Sequence, residues 1–213
     1  MTYSAREFYK QQAVVEDYER RRFSGALGGR RWATEQEALR QVFDRLPPSA
    51  TVLDCPVGNG RWAEHLVRRG HQVTGVDVSE AMLKAASARL ERVEGARGEL
   101  AGLLQGDAES LQFPSGSFDV VFSHALTKHL PAGVQDRVFA EFARVSRQAV
   151  VCSFSVLSGF TGVLWRLRRL PEAYGRQPAE IADLAAAHGL RIEFAVPCTT
   201  ALGVEQTILF VRK

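Results

Sequence analysis

The sequence predicts an α/β fold, and three observations support this class. Short apolar segments alternate along the chain with longer segments in which apolar residues recur at helical spacing. Thr51–Ala63 has the pattern of a buried strand, a loop with two glycines and the start of a helix. Phe118–Phe122 is a largely apolar run, typical of a strand covered on both faces. A strand, a glycine loop and a helix in this order indicate a nucleotide-type binding site, because glycine lets the backbone approach a ligand and the helix presents free N–H groups.

The bulk composition fits one domain with a substantial core. The chain has 213 residues, of which 46% are hydrophobic, and its net charge of +3 gives no argument for nucleic acid. No apolar run approaches the roughly 20 residues that cross a bilayer, and the N-terminus lacks the apolar core of a signal peptide. The cysteines, Cys55, Cys152 and Cys198, form neither a metal pattern nor a disulfide framework. We therefore expect a cytoplasmic protein with no membrane span and no metal ion.

Two helices are predicted before the first strand. The first covers 4–22 and is followed by a glycine-containing loop over 24–29. Thr34 and Glu37 have the spacing of a capping box, so a second helix is expected from Thr34 to near Leu46.

The rest of the chain alternates predicted strands and helices. The strands are 51–53, 71–76, 100–104, 118–122, 149–154, 190–196 and 206–211. The helices run from the glycine loop to Arg69, from Ser79 to about Val93, from Pro131 to Val145 and from Gln177 to His188. In the helix from Ser79, the apolar residues Met82, Ala86 and Leu90 fall on one stripe, which is expected to face the sheet.

The glycine loop fits two classes of cofactor. Gly58–Ala63 matches G-x-G-x-x-A, and Asp77 follows roughly 20 residues later, as in an NAD site. Asp54 stands just before the loop, where its carboxylate would repel the pyrophosphate of a dinucleotide. The same carboxylate suits a ligand with an ammonium group, such as the methionine end of S-adenosylmethionine (SAM).

Four blocks in sequence order carry a resemblance to a known family. They are Val52–Asp54 with the two loop glycines, Gly75–Ser79, Gly106–Glu109 and Ser117–Val121, which lie within about half of the chain. In these blocks the sequence resembles the class I SAM-dependent methyltransferases, and especially the small-molecule branch of the ubiquinone and menaquinone C-methylases. Pro56 replaces a more usual glycine, and Val145–Gln148 replaces the usual Pro-Gly-Gly before the fifth strand.

The resemblance implies an architecture. We expect a Rossmann-like sheet of seven strands in the order 3-2-1-4-5-7-6, with strand 7 antiparallel and helices on both faces. The whole chain, 1–213, would form one domain. Its expected parts are an N-terminal helical cap over 1–48, a cofactor-binding half over 49–155, a substrate-covering insertion over 156–176, and the last helix and strand pair over 177–213.

The resemblance also implies a reaction. We expect in-line methyl transfer from SAM to an oxygen, nitrogen or carbon atom of a small molecule, with S-adenosylhomocysteine (SAH) as product. Three other functions stay open: an NAD-dependent oxidoreductase, an RNA methyltransferase and a SAM-binding protein without chemistry. Ser123-His124-Ala125 stands where nucleic-acid methylases carry an Asn/Asp-Pro-Pro-aromatic motif, so no nucleic-acid partner is expected. The oligomeric state is not predicted.

The implied cofactor contacts follow the same blocks. Asp77 would accept both ribose hydroxyls, although an acid there also fits the N-terminus of the next helix. Met82 would cover the adenine or lie in the core. Asp107 would accept the adenine amine and the backbone at Ala108 would bond a ring nitrogen, unless Asp107 is only a turn residue. The remaining implied contacts are Asp54, Pro56, Gly58, Asn59, Gly60, Val78, Glu109 and Ser123.

The N-terminal cap and the insertion are the parts implied to shape the substrate pocket. Tyr18, Arg22, Arg30 and Arg31 are candidates to bind the methionine carboxylate or an acidic substrate, but a solvated helix end explains them equally well. The segment 155–176 interleaves aromatic side chains with arginines, which suits an acidic, aromatic or lipid-like substrate. An amphipathic helix packed on the core is the alternative.

Two histidines, His124 and His129, follow the fourth predicted strand. The carboxyl ends of strands in an open α/β sheet are where ligands bind, so both histidines are placed near the expected reaction. Either is a candidate general base, because imidazole titrates close to neutral pH. A histidine at the second position is common in the resembling branch and is also explained by ordering of the loop.

Overall fold

Five parallel strands form the centre of the fold. The computed structural model describes residues 25–93, 98–158, 174–198 and 205–213. The strands are β1 (Thr51–Asp54), β2 (Gln72–Asp77), β3 (Glu99–Gln105), β4 (Phe118–Ser123), β5 (Ser146–Val156), β6 (Gly175–Arg176), β7 (Leu190–Pro197) and β8 (Glu205–Arg212). The helices are α1 (Gly25–Phe43), α2 (Arg61–Arg68), α3 (Glu80–Leu90), α4 (Ala132–Val145) and α5 (Pro178–Ala187).

The strand order is β3-β2-β1-β4-β5-β8-β7, with β8 antiparallel to both β5 and β7. The predicted order 3-2-1-4-5-7-6 is therefore confirmed once the short strand β6 is left out of the numbering. β6 pairs in parallel with Ser155 and Val156 of β5 and makes an eighth strand, where seven were predicted. A strand of two residues is too short to show a period of two, so the sequence carries no signal for it.

Side chains of the central strands alternate between two apolar layers, one on each face of the sheet. Leu53 and Val121 belong to the layer that contains the buried residues of α4 and α5. Val52, Val120 and Phe122 belong to the layer that contains those of α1, α2 and α3. Because both faces are covered, these strands consist of nearly continuous apolar residues, which is how they were recognised in the sequence.

Gly25–Gly29 are helical and belong to α1, whereas a loop over 24–29 and a helix start at Thr34 were predicted. Thr34 lies inside the helix, where its Oγ1 donates to the carbonyl oxygen of Arg30 at 3.0 Å, so the predicted capping box is wrong. Trp32, on the newly helical stretch, packs against Trp62 of α2 with ring centroids 5.3 Å apart. Tertiary contacts of this kind offset the roughly 1 kcal/mol that each glycine costs a helix.

Helix α4 passes into β5 without a loop. Val145 is the last helical residue and Ser146 the first strand residue, so the strand begins before the predicted Ala149. Ser146 Oγ donates to the carbonyl oxygen of Ala143 at 3.1 Å, and Arg212 donates to that of Ser146 at 3.0 Å. These side chains satisfy carbonyl groups at the helix end.

Some predicted elements lie outside the described residues, namely the helix over 4–22 and most of the insertion over 156–176. Within the described ranges, no helix combines the length and the apolar character needed to cross a membrane. The same ranges contain no group of three or more histidine, cysteine or acidic residues that could hold a metal ion.

Candidate functional site

A cleft opens at the carboxyl ends of β1, β2, β3 and β4. Ten of the predicted site residues line it: Pro56, Gly58, Asn59, Asp77, Val78, Met82, Asp107, Ala108, His124 and His129. Nine lining residues were not predicted: Glu35, Cys55, Val57, Arg61, Trp62, Gly106, Ala125, Leu126 and Leu130. The cleft therefore gathers the ends of four strands that are separated in sequence, as expected for an open α/β sheet.

The two loop glycines have different roles. Gly58 has φ +54°, and its N–H donates to Asp77 Oδ2 at 2.9 Å, so the loop backbone is tied to the end of β2. Gly60 has φ +78° and does not line the cleft. A Cβ atom at Gly60 would lie 3.0 Å from Cα of Ala86, so this glycine permits α2 and α3 to pack closely.

Asp77 is a buried carboxylate at the floor of the cleft. Its Oδ2 accepts the N–H of Gly58 and its Oδ1 that of Ser79, both at 2.9 Å. Burial raises the pKa of the Asp77 carboxyl, and the N–H groups of Ser79, Gly58 and Val78 oppose that rise. Ser79, rather than Asp77, is the N-cap of α3, because its side chain accepts the N–H of Met82 at 3.3 Å.

Asp54 lies under the glycine loop and not on the cleft surface. Its side chain is buried, and within the described part of the chain its Oδ2 has no hydrogen-bond partner. Burial and the nearby Asp77 raise the pKa of Asp54 well above its usual value, while the N–H of Ala63 acts in the opposite direction. The structure thus keeps a second carboxyl group within electrostatic reach of Asp77.

At the far end of the cleft, the side chains of Asp107 and Glu109 have different surroundings. Asp107 Oδ1 accepts the N–H of Glu109 at 3.1 Å, and its backbone carbonyl accepts that of Ser110 at 3.0 Å, so Asp107 closes a tight turn. The Glu109 carboxylate pairs with Arg137 at 2.7 Å and does not line the cleft. Met82 and Ala108 provide apolar wall beside Asp107.

Other predicted residues are not brought to the cleft. Ser123 is buried and absent from the lining, and Arg30 is exposed. Tyr18 and Arg22 lie outside the described residues, as does the side chain of Arg31.

Glu35 is the principal site residue that sequence reasoning missed. It is buried, and its Oε1 lies 3.0 Å from Nε2 of His124. The signal was present in the helical spacing, because positions 35, 39 and 42 share one face of α1 and both Leu39 and Val42 are fully buried. A carboxylate on an otherwise apolar stripe indicates a partner in the core.

The loop that carries the two histidines is held from several sides. Ala125 has φ +61°, an uncommon conformation for a residue with a side chain, and its N–H donates to Ser153 Oγ at 2.7 Å. Gln135, from α4, donates to the carbonyl oxygens of Thr127 and Leu130, both at 2.9 Å. We call the segment 124–130 the rim loop; its backbone conformation is fixed by the sheet and by α4.

Comparison with known proteins gives the following similarities. Residues 52–149 match the family described as "Methyltransferase domain". The chain is 31% identical over 169 residues to the ubiquinone biosynthesis O-methyltransferase of Thiobacillus denitrificans, in an alignment that covers 73% of this chain and 71% of that protein. It is 28% identical over 151 residues to the magnesium-protoporphyrin O-methyltransferase of Rhodobacter capsulatus, which covers 68% of this chain and 65% of the relative.

One solved structure has the same fold over nearly its entire length. It is the magnesium protoporphyrin IX methyltransferase of Synechocystis PCC 6803 with bound SAH, with a TM-score of 0.78. The superposition covers 98% of both chains at 19% sequence identity, and at that identity the likeness concerns the fold.

Proposed function

The chain belongs to the class I SAM-dependent methyltransferases, and from this premise we propose that it methylates a small molecule held at the rim loop. The observation that carries the proposal is the pair of buried carboxylates, Asp54 and Asp77, set around a loop whose glycines have positive φ. Because the chain belongs to this family, we set aside the NAD-dependent oxidoreductase that the glycine pattern left open.

The side chains present fit SAM. The buried Oδ2 of Asp54 has no hydrogen-bond partner among the described residues, and from beneath the glycine loop its carboxylate favours a cation, which the ammonium group of the methionine end provides. Each oxygen of Asp77 already accepts one N–H and retains a lone pair, so both can accept a ribose hydroxyl. Met82 and Ala108 offer apolar contact to the adenine, and Asp107 an acceptor for its amine.

Bound SAM supplies an electrophilic methyl group on a sulfonium, which is already a good leaving group. The contribution of the chain is therefore mainly to align the acceptor and exclude water, which amounts to roughly 7–11 kcal/mol in well-oriented systems. The fixed rim loop is suited to alignment, and Trp62, Leu126 and Leu130 form an apolar wall that excludes water. His124 and His129 line the same region and stay the candidates for proton transfer.

The acceptor is proposed to be a small molecule with an apolar, aromatic body. The apolar wall beside the rim loop supports this choice, as do the names of the relatives, one from ubiquinone biosynthesis and one for magnesium-protoporphyrin. No feature of the described site favours RNA.

A labelling experiment tests this proposal. The full chain is incubated with methyl-labelled SAM and a small-molecule extract, and the products are separated by size. We expect the label in the low-molecular-mass fraction, unaffected by ribonuclease or protease. Label that is retained on RNA or protein, or SAH binding without transfer to any fraction, would contradict it.

A further inference from the structure

Glu35 and His124 form a buried pair, and the proposed function assigns no role to Glu35. Their side chains are 3% and 5% exposed, and Oε1 of Glu35 lies 3.0 Å from Nε2 of His124. Removing two ionisable groups from water is costly unless each gains a defined partner. The pair therefore requires a physical reason at this position.

The imidazole ring of His124 is held in one orientation. The Phe122 ring lies nearly parallel to it, at 8° with centroids 6.4 Å apart, and the Trp62 ring meets it at 74° and 5.8 Å. The hydrogen bond from Ala125 N to Ser153 Oγ fixes the turn at which His124 leaves β4. A ring confined in this way keeps one orientation toward Glu35, which is the condition for a preorganised site.

Glu35 sets the tautomer of that ring. With Glu35 ionised, its carboxylate only accepts hydrogen bonds, and Nε2 of His124 is then the protonated nitrogen in this contact. In a neutral imidazole Nδ1 is then the acceptor. Nδ1 is buried and has no hydrogen-bond partner among the residues that the structure describes, although buried polar atoms are nearly always paired.

We propose that Glu35 is a positioning residue that holds His124 in the Nε2–H tautomer, so that Nδ1 accepts a proton from a hydroxyl group of the acceptor molecule. The inference rests on the proposed function and adds to it an acceptor atom, oxygen, and the residue that prepares the base. His124 lines the cleft and contacts the acceptor, whereas Glu35 acts through His124.

The step balances in atoms and charge. The hydroxyl oxygen forms the new O–CH3 bond, the C–S bond of SAM breaks, and its electron pair stays on sulfur. The O–H proton moves to Nδ1 of His124, so the positive charge lost from the sulfonium reappears on the imidazolium. Glu35 lies beside that imidazolium at 3.0 Å and stabilises the charge.

The tautomer can be measured without turnover. Long-range proton–nitrogen correlation spectra of the isotope-labelled full chain with SAH should show Nε2 of His124 protonated and Nδ1 unprotonated, with the signals assigned by their loss in His124→Asn. His71 is an internal reference, because its Nδ1 accepts the N–H of Ala50 at 3.2 Å and its ring must be the same tautomer. Glu35→Leu should give a mixture of tautomers at His124 and leave His71 unchanged.

Turnover tests the consequence with catechol as the probe and ortho-phenylenediamine as its amine counterpart. Glu35→Gln should lower kcat on catechol by about 10²-fold, at the lower end of the range for general acid–base catalysis, with KM and SAH affinity unchanged. The matched control is Glu37→Gln, whose carboxylate lies on the exposed face of the same helix and bonds Arg40, and it should keep the wild-type kcat.

The outcomes separate this inference from the proposed function. An Nδ1–H tautomer at His124, or wild-type kcat in a folded Glu35→Gln variant, overturns the role of Glu35 while methyl transfer by the wild type still stands. A wild-type chain that binds no SAH overturns the proposed function itself. If catechol is not methylated, the spectra decide: the Nε2–H tautomer supports the inference and the Nδ1–H tautomer overturns it.

Discussion

The carboxyl group of Asp54 affects the stability of the chain and its ligand binding in opposite directions. Its carboxyl is buried, its Oδ2 is unpaired among the described residues, and a second acid, Asp77, lies nearby. The folded-state pKa exceeds the usual 3.8, so between these two values the native state holds the proton more tightly than the unfolded chain. The stabilisation is present at low pH and is lost as the pH rises through the folded pKa.

Asp54→Asn should therefore raise the melting temperature of the unliganded chain in mildly alkaline buffer. Each kcal/mol recovered corresponds to about 2–4 °C in a chain of this size. The amide oxygen can still accept the N–H of Ala63, but it carries no charge for an ammonium group, so SAH should no longer stabilise the variant. Differential scanning calorimetry with and without SAH measures both effects; a variant that melts lower and still responds to SAH would contradict the role of Asp54.

The affinity for SAH should depend on pH for the same reason. An ammonium group binds the ionised carboxylate, and at pH values below the raised pKa of Asp54 binding must first remove a proton. We expect the dissociation constant to fall as the pH rises through that pKa, with proton release in calorimetric titrations in buffers of different ionisation enthalpy. A pH-independent affinity with no proton release would show that Asp54 does not meet the ligand cation.

Single residues were predicted best where chemistry and spacing agreed. Asp77, Met82 and Asp107 could be placed from the sequence, because each follows a strand or begins a helix that was recognisable. Glu35 was missed because its partner His124 is 89 positions away, and only the fold shows that the two meet. A carboxylate on the apolar stripe of α1 was the available signal.

At the scale of elements, α2 and α3 pack through Gly60. Gly60→Ala should lower the free energy of unfolding by about 1–3 kcal/mol, because its Cβ would meet Ala86 in a left-handed conformation that alanine rarely adopts. Gly102→Ala is the matched control, since its added Cβ has no atom within 4 Å. Chemical denaturation measures both; equal stability of the two variants would refute the packing role of Gly60.

Gln135 connects α4 to the rim loop and is 1% exposed. Gln135→Leu leaves the carbonyl group of Leu130 without a donor among the described residues, at a cost of about 1–3 kcal/mol. It also removes one of the two donors to the carbonyl group of Thr127, which still accepts the N–H of Leu130. We expect lower stability and a reduced kcat with SAH affinity retained, because the glycine loop is not touched. Asp136→Asn, at a half-exposed carboxylate whose partner Arg176 is mostly buried, keeps a side-chain oxygen that can accept from Arg176, so it should cost less stability than Gln135→Leu. A Gln135→Leu variant with wild-type kcat would show that the loop is fixed by other contacts.

Element boundaries were predictable where the pattern was local. Ser79 and Gly189 mark helix ends through their own conformations, and α3 and α5 lie close to where they were predicted. The helical conformation of Gly25–Gly29 was not predictable, because this segment has the composition of a loop and tertiary contacts such as Trp32 with Trp62 stabilise the helix. β6 depends on pairing with β5 and has no pattern of its own.

For the whole molecule, strand order and function depend on the same arrangement. The order β3-β2-β1-β4-β5 brings the ends of β1 and β2 together, and with them Asp54, the glycine loop and Asp77. The order was predictable only from the resemblance, since no local pattern specifies which strands are neighbours. The acids at the strand ends, Asp54 and Asp77, could be identified from the sequence itself. They distinguish a SAM site from a dinucleotide site in this chain.

Thermal unfolding of the full chain with added SAH, and separately with NAD, tests the central claim most directly. SAH at about 100 times its dissociation constant should raise the free energy of unfolding by about 2.7 kcal/mol, NAD should leave it unchanged, and Asp77→Ala should remove the effect of SAH. Stability that is indifferent to SAH, or that NAD raises by the same amount, would contradict the assignment of this cleft to SAM.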